Sequence, residues 1–261
     1  IDGLRAVAVL AILLFHVGMP LFGGGYVGVD VFFVISGYLI TGIIARGLAE
    51  ERFSIRIFYL RRIRRIFPAL FAMLAGVAAI GWVLFLPVDM QAFGRAAMAT
   101  VAFVANIQAW LQAGYFDTAS STKPLLHTWS LGVEEQFYLF FPLLLAGWVR
   151  IGGRPAVLVG GLFVVSAVLS VVGVRVDGDA AFYLLPTRAW ELLAGSLVAL
   201  AAPKPPSSPL IAEGLAGAGL AAILAAIFLY DPFIRFPGEA ALLPVLGSAV
   251  LIWVGGGERT T

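Results

Sequence analysis

A series of apolar stretches, each long enough to cross a bilayer, governs what this chain can fold into. Stretches of 17 to 21 residues lie near 4–22, 27–45, 66–86, 129–149, 155–174, 182–202, 210–230 and 240–256. A hydrocarbon core about 30 Å thick takes about 20 apolar residues in a helix, so each stretch is predicted to be a membrane-crossing helix. A water-soluble globule is excluded: 61% of the residues are hydrophobic and 12% charged, against about 45–50% apolar in soluble domains. The glycines, 30 in all, follow no Gly-X-Y period, which excludes collagen, and the scarcity of charge excludes a disordered polar chain. With no cysteine there is no disulfide framework, no thiolate nucleophile and no Cys-based metal site. A formal net charge of +2 is no nucleic-acid footprint.

Orientation follows from where the arginines fall. Residues 46–65 hold Arg46, Arg52, Arg56, Arg61, Arg62, Arg64 and Arg65. Short loops rich in Lys and Arg stay cytoplasmic, which sets the N-terminus on that side. The stretch 87–113 is apolar but broken by Asp89, Gln91, Arg95, Asn106, Gln108 and Gln112. A full crossing there would put Arg150 and Arg154 outside. A re-entrant path keeps Arg150, Arg154, Lys204 and Arg259 inside, and such backbone is tolerated where protein or a water-filled cavity covers it. The segment 87–113 is therefore expected to be re-entrant. The first stretch opens at Ile1 without Met and carries Arg5 and His16, so it is expected to be a permanent helix and not a cleaved signal peptide. Pro203-Lys204-Pro205-Pro206 reads as a short inner linker, and 255–261 as a loop leading into further chain. The expected fold is all-α: a polytopic integral membrane helical bundle of about eight spans plus the re-entrant segment, one domain over 1–261.

Ionisable groups at membrane depth cost about 2.5–3.5 kcal/mol on insertion scales, so each needs a partner or a task. Arg5 and His16 lie eleven residues apart, on one face of the first helix and about 16.5 Å apart along its axis. Counted at about 1.5 Å per residue from the outer end of each span, His16 lies about 9 Å down, Ser36 about 13 Å, Glu134 about 8 Å, Arg188 about 9 Å and Glu191 about 13 Å. Side chains of four helices thus share one layer. A buried His beside carboxylates and arginines has the makings of a general base tuned by a neighbouring acid. The structural alternatives are a snorkelling Arg5 with a hydrogen-bonded core His16, mutual neutralisation of Arg188 and Glu191 at i,i+3, and helix capping by Asp30 near the outer interface.

Arg61 with Arg64 and Arg62 with Arg65 form two stripes on one amphipathic helix before the third span. Guanidinium clusters grip phosphates bidentately; the alternative is a topology determinant lying on anionic lipid. Gly23-Gly24-Gly25-Tyr26-Val27-Gly28 fits a dinucleotide fingerprint formally, but it joins two membrane helices and not a strand to a helix. No nucleophile elbow and no His-Glu-x-x-His occurs. The histidines number two, His16 and His127, which excludes a His-rich metal site.

Five motifs in order carry a resemblance. They are Ile1-Asp2-Gly3-Leu4-Arg5-Ala6 with His16, the run from Tyr26 to Tyr38, the run from Arg61 to Pro68, the run from Leu126 to Tyr138, and Pro186-Thr187-Arg188-Ala189-Trp190-Glu191-Leu192-Leu193-Ala194-Gly195. Together they resemble membrane acyltransferase family 3, which includes O-antigen and peptidoglycan O-acetyltransferases. The resemblance implies transfer of an acyl group, usually acetyl from cytoplasmic acetyl-CoA, onto a carbohydrate hydroxyl at the outer side of the bacterial inner membrane. It implies that Arg5 and His16 are essential and that Arg61/Arg64 or Arg62/Arg65 matter for function. It also implies about ten helices, sometimes followed by a periplasmic hydrolase-like domain, so the chain is expected to lack the last helices.

On this reading acyl-CoA is a donor substrate, no cofactor is tightly bound, and the acceptor is a carbohydrate or lipid-linked glycan such as lipopolysaccharide O-antigen or peptidoglycan. The other partners are membrane lipids and the hydrolase-like domain, with no nucleic acid. Phosphates would dock on Arg5 and on Arg61, Arg62, Arg64 and Arg65, and the pantetheine arm would reach toward His16. His16 would act as general base or take the acyl group itself. Glu134 or Glu191 would orient the imidazole, and Arg188 would stabilise the oxyanion. Asp30, Ser36, Tyr38, His127 and Trp129 are the candidates for substrate binding. The rival class is a transporter of a small solute or acylated glycan, since intramembrane Arg, Glu and His also mark solute pathways. Transporters often show matching broken helices in inverted repeats, and the two halves show no such match. A scaffold for an attached enzyme would leave the buried charges without purpose.

Overall fold

The computed structural model describes residues 1–113, 124–201, 204–231 and 233–256. The regular secondary structure of the described residues is helical, without strands. The helices are α1 (Asp2–His16), α2 (Gly28–Ala49), α3 (Ile55–Leu84), α4 (Pro87–Val101), α5 (Ala105–Gln112), α6 (Trp129–Arg150), α7 (Pro155–Val176), α8 (Gly178–Tyr183), α9 (Leu185–Ala201), α10 (Pro209–Leu229) and α11 (Leu242–Gly255). Helix starts follow local chemistry. Ser54 caps α3 by accepting from the Ile57 amide, while α4, α7 and α10 each open on a proline, whose missing N–H costs nothing in a first turn.

Among the described residues, five segments are long and apolar enough to cross a membrane: Gly25–Ala49, Ile55–Leu84, Pro155–Val176, Gly178–Ala201 and Pro209–Leu229. This is an integral membrane protein. The expected eight-span layout is altered in several places. The first span was expected to run to 22, but α1 stops at His16; Gly18 takes a φ of 75° and short 3-10 turns follow at Pro20–Phe22 and Gly25–Val27. The third span was expected from 66, yet α3 begins at Ile55, so the arginine cluster is the first part of one 30-residue helix, about 45 Å long. The span expected over 182–202 is present as Gly178–Ala201, starting earlier and interrupted at Leu184 between α8 and α9. The span expected over 240–256 contains only the 14 residues of α11. α6 has 22 residues but is charged near its start by Glu134 and Glu135, and it is not among the five. The segment 87–113 forms two helices of 15 and 8 residues, each too short to cross a bilayer alone. They are parted at 102–104, where Phe103 has a φ of 55°. Residues 202 and 203 of the expected linker and 257–261 of the expected terminal loop lie outside the described residues.

The chain divides into two compact units. The first comprises Ile1–Arg46, Leu145–Phe182 and the residues from Pro186 onward. Its core joins Ala8 and Ala11 of α1, Val31 and Ile35 of α2, Trp190 of α9, Ile223 and Ile227 of α10, and Val245 of α11. Hydrophobicity does not drive helices together in lipid; close packing and hydrogen bonds do. Accordingly α2 and α9 meet backbone to backbone. A methyl on Gly37 would sit 1.7 Å from the Leu192 carbonyl oxygen, and one on Gly195 would sit 1.9 Å from that of Val34. One turn on, Thr41 Oγ1 donates to Ser196 Oγ at 2.7 Å, both fully buried. The glycine run before α2 has a packing role as well: a Cβ at Gly24 would meet the Ala226 oxygen of α10 at 2.1 Å, and one at Gly25 the Ala11 oxygen of α1 at 2.3 Å.

The second unit comprises Gly47–Leu144 and Tyr183–Leu185. Leu70 and Leu74 of α3, Phe93 of α4 and Leu125 form its core. Its α4–α5 break is held by a reciprocal amide pair. Gln136 Nε2 donates to Asn106 Oδ1 at 2.8 Å and to the Phe103 carbonyl at 2.9 Å, and Asn106 Nδ2 donates to the Tyr183 carbonyl at 3.1 Å. The left-handed turn at Phe103 thus has its exposed carbonyl satisfied from α6.

Candidate functional site

In the first unit, Arg188 of α9 is 1% exposed and lies between two carboxylates that are 0% exposed. Its Nη2 donates to Asp30 Oδ1 at 3.1 Å and lies 3.1 Å from Glu191 Oε2. The Arg188–Glu191 pair follows from i,i+3 spacing on one helix; Asp30 is brought in from α2, 158 positions away. The rings of Phe33, Phe182 and Phe236 enclose the guanidinium at 5.4 to 5.5 Å. Asp30 therefore does not serve as a surface cap for its helix. Its side chain is an interhelical ion-pair partner, because α2 and α9 approach closely enough at Gly37 and Gly195 to exclude solvent. Breaking such a pair from one side costs about 3–5 kcal/mol. Asp30 Oδ2 and Glu191 Oε1 lack hydrogen-bond partners among the described residues.

His16 is the last residue of α1 and is exposed. Its Nδ1 lies 2.8 Å from the Ile12 carbonyl oxygen. An oxygen there accepts, so Nδ1 carries the proton, and Nε2 is the nitrogen that bears the lone pair of the neutral tautomer. The expectation that Glu191 orients the imidazole is corrected: a backbone carbonyl one turn back on α1 holds the ring, and Glu191 pairs with Arg188. The physical reason is chain path, since α1 ends at His16 while Glu191 is committed to Arg188. The ring packs edge-on against Phe15 at 5.4 Å, and Phe15 against Tyr26 at 5.6 Å. Arg5, at the other end of the same helix, pairs with Asp2 at 3.4 Å and is half-buried. Ser36 and Tyr38 are half-buried on α2.

In the second unit, Arg61, Arg64 and Arg65 are exposed on α3, whereas Arg62 is half-buried with its guanidinium carbon 3.9 Å from the centre of the Tyr138 ring. The two expected stripes therefore differ: Arg61 and Arg64 are both exposed, and Arg62 is turned onto α6. Glu134 is half-buried on α6. His127 is exposed in a short 3-10 turn, and Trp129 is buried, edge-on to Tyr183 at 5.5 Å. Sequence reasoning passed over Glu135, Gln136 and Asn106. Glu135 Oε1 is buried with no hydrogen-bond partner among the described residues. The available signal was the unusual run Glu134-Glu135-Gln136 inside an apolar helix, together with Asn106 and Gln108 in the broken stretch.

Comparison with known proteins adds the following. A family model described as an acyltransferase domain matches residues 1–259. The chain is 35% identical to a peptidoglycan O-acetyltransferase, OatA, of Listeria monocytogenes, over 95% of this chain and 42% of that protein. It is 34% identical to an uncharacterised protein of Haemophilus influenzae, over 85% of this chain and 96% of that protein. It is also 34% identical to an O-acetyltransferase, OatA, of Staphylococcus aureus, over 76% of this chain and 34% of that protein. The chain therefore spans less than half the length of the two O-acetyltransferases. No solved structure matches it.

Proposed function

This chain belongs to the acyltransferase domain family that matches it over residues 1–259, and on that premise we propose that it moves an acetyl group from cytoplasmic acetyl-CoA to a hydroxyl of a cell-envelope glycan. The Listeria relative is named a peptidoglycan O-acetyltransferase, which favours peptidoglycan over lipopolysaccharide as the acceptor. The proposed setting is the bacterial inner membrane with a cytoplasmic N-terminus, and the proposed partner is a periplasmic hydrolase-like domain.

The observation that carries this reading is the imidazole of His16, whose Nδ1 is held by the Ile12 carbonyl at 2.8 Å so that Nε2 is left basic. Nε2 takes the proton from the acceptor hydroxyl as its oxygen attacks the thioester carbonyl. The tetrahedral intermediate then expels the thiolate of CoA, which takes the proton back from the imidazolium. Oxygen gains the acetyl group, sulfur loses it, and no redox change occurs. The arginines at the start of α3 serve the donor's phosphates, since guanidinium groups match phosphate oxygens bidentately. Arg188, enclosed by Asp30 and Glu191, is assigned a positioning role for α2 and α9 in place of the oxyanion contact expected from sequence.

The test is acetyl transfer from labelled acetyl-CoA to peptidoglycan fragments by the full-length protein in detergent. His16→Ala should lower turnover by about 10²–10⁴-fold, the usual size of general-base catalysis, with unchanged thermal stability. Turnover within about threefold of wild type would remove His16 from the chemistry. A stable labelled adduct on His16 would replace direct attack with the acyl-enzyme route.

A further inference from the structure

The second unit contains a cavity of about 540 Å³ walled by α3, the α4–α5 break and α6, within the usual range for small-molecule sites. Most of its wall is apolar, from Ile63, Ile66 and Phe67 on one side to Val104 and Ile107 on another. Against this wall stand Arg62 and Glu135. Arg62 lays its guanidinium over the Tyr138 ring, and its Nε is buried with no hydrogen-bond partner among the described residues, as is Glu135 Oε1. A buried donor or acceptor left unmatched costs about 1–3 kcal/mol. This wall therefore presents one unmatched donor and one unmatched acceptor in an otherwise oily space.

That arrangement selects among ligand chemistries. An anion would face Glu135 and a cation would face Arg62. An ester carbonyl of a lipid accepts but cannot donate, leaving Glu135 unmatched. A sugar brings many hydroxyls that an apolar wall cannot satisfy. A secondary amide offers one N–H and one C=O, and alkyl segments on either side would suit the aliphatic wall. The pantetheine arm of an acyl thioester donor is such a chain.

Resting on the donor reading above, we propose that this cavity holds the pantetheine arm of acyl-CoA, with Glu135 accepting from an amide N–H and Arg62 donating to an amide carbonyl. Glu135 is then a donor-binding residue, and Arg62 differs from its neighbours Arg61, Arg64 and Arg65, which stay exposed for the phosphates.

The sequence has no cysteine, so Ile107→Cys places a thiol on the cavity wall, at a position 37% exposed. Alkylation of that residue in the full-length protein is followed by mass spectrometry of its peptide. Leu139→Cys, on the same wall and 49% exposed, serves if the first variant misfolds. The probes are S-ethyl-CoA, which has no free thiol, S-ethyl-pantetheine, and adenosine 3′,5′-bisphosphate, which lacks the arm. Saturating S-ethyl-CoA should slow alkylation at least about ten-fold, S-ethyl-pantetheine should do so at higher concentration, and the bisphosphate should not. In parallel, Glu135→Ala should raise the KM for acetyl-CoA about ten-fold without a matching fall in kcat, the effect of one lost hydrogen bond to a charged group. Glu135→Gln, which keeps an acceptor, should recover most of that loss. S-ethyl-CoA that inhibits transfer competitively while leaving the wall thiol's rate unchanged would place the arm elsewhere and leave the donor reading intact. Absence of any transfer from acetyl-CoA by the wild-type protein would overturn the donor reading and this site with it.

Discussion

Replacing Gly37 by alanine tests the claim that backbone contact between α2 and α9 builds the buried charge site. The added methyl would lie 1.7 Å from the Leu192 carbonyl oxygen and 2.5 Å from its carbon, and these are backbone atoms that no rotamer change can move. Reaching ordinary contact near 3.4 Å requires the helices to part by about 1.7 Å along that line, since packed interiors yield little. A shift of that size takes the 2.7 Å Thr41–Ser196 bond and the 3.1 Å Arg188–Asp30 bond past hydrogen-bonding distance. Overpacking costs about 1–3 kcal/mol, and an interhelical hydrogen bond in a membrane is worth about 0.6 kcal/mol, so the loss is about 2–4 kcal/mol. For a chain of this size that is a fall in Tm of roughly 4–16 °C, read by thermal unfolding in detergent. Gly42 is the internal control: it lies on the same helix, and a methyl there meets nothing within 4 Å, so Gly42→Ala should be neutral or gain up to about 1 kcal/mol. Gly195→Ala should match Gly37→Ala, and the double variant should fall short of the sum because both relieve one contact. A Gly37→Ala protein melting within about 1 °C of Gly42→Ala would refute the crossing.

Other outcomes follow from the same geometry. Arg188→Ala leaves Asp30 and Glu191 buried without their cation and should cost about 3–5 kcal/mol; Arg188→Lys, which keeps a cation between them, should recover part of that loss, and both are read as detergent melts. Asn106→Leu strips Gln136 of one acceptor and the Tyr183 carbonyl of its donor and should cost about 1–3 kcal/mol, with faster hydrogen exchange at the α4–α5 break. Outside the membrane-crossing segments, Glu239 is held below its ordinary carboxyl value by a backbone hydrogen bond and then by Arg175. A depressed carboxyl contributes stability above its ordinary value and loses it as pH falls through the lowered one. Glu239→Gln should thus melt slightly below wild type at neutral pH and converge with it toward pH 3, so that its decline measured from pH 7 to pH 3 is slightly shallower.

Much of the architecture was legible residue by residue. Apolar length announces membrane helices because hydropathy is a local property, and α2, α7 and α10 fall close to the expected stretches. The bounds that moved did so for reasons outside hydropathy. Leu84 ends α3 where expected, but the helix's start lies under the arginines, which a hydropathy window discounts although arginine is a good helix former. α1 ends early because Gly18 adopts a left-handed conformation. The site was legible in part: Arg188 and Glu191 pair through helical spacing that the sequence displays. Asp30 as their third member was not, because its pairing depends on which helix lies opposite.

What the sequence determined by itself is the kind of molecule this is: helical, membrane-embedded, basic at the start of α3, with a few ionisable groups set among apolar ones, all consequences of side chains acting on their own stretch of backbone. Tertiary structure alone decided who meets whom. It set Asp30 against Arg188 and turned Arg62 and Glu135 onto one cavity wall. Those pairings depend on helices that cross within a methyl's width at Gly37 and Gly195 and on a left-handed turn at Phe103. Distances of that scale are fixed by packing between segments far apart in the chain, and no local pattern records them.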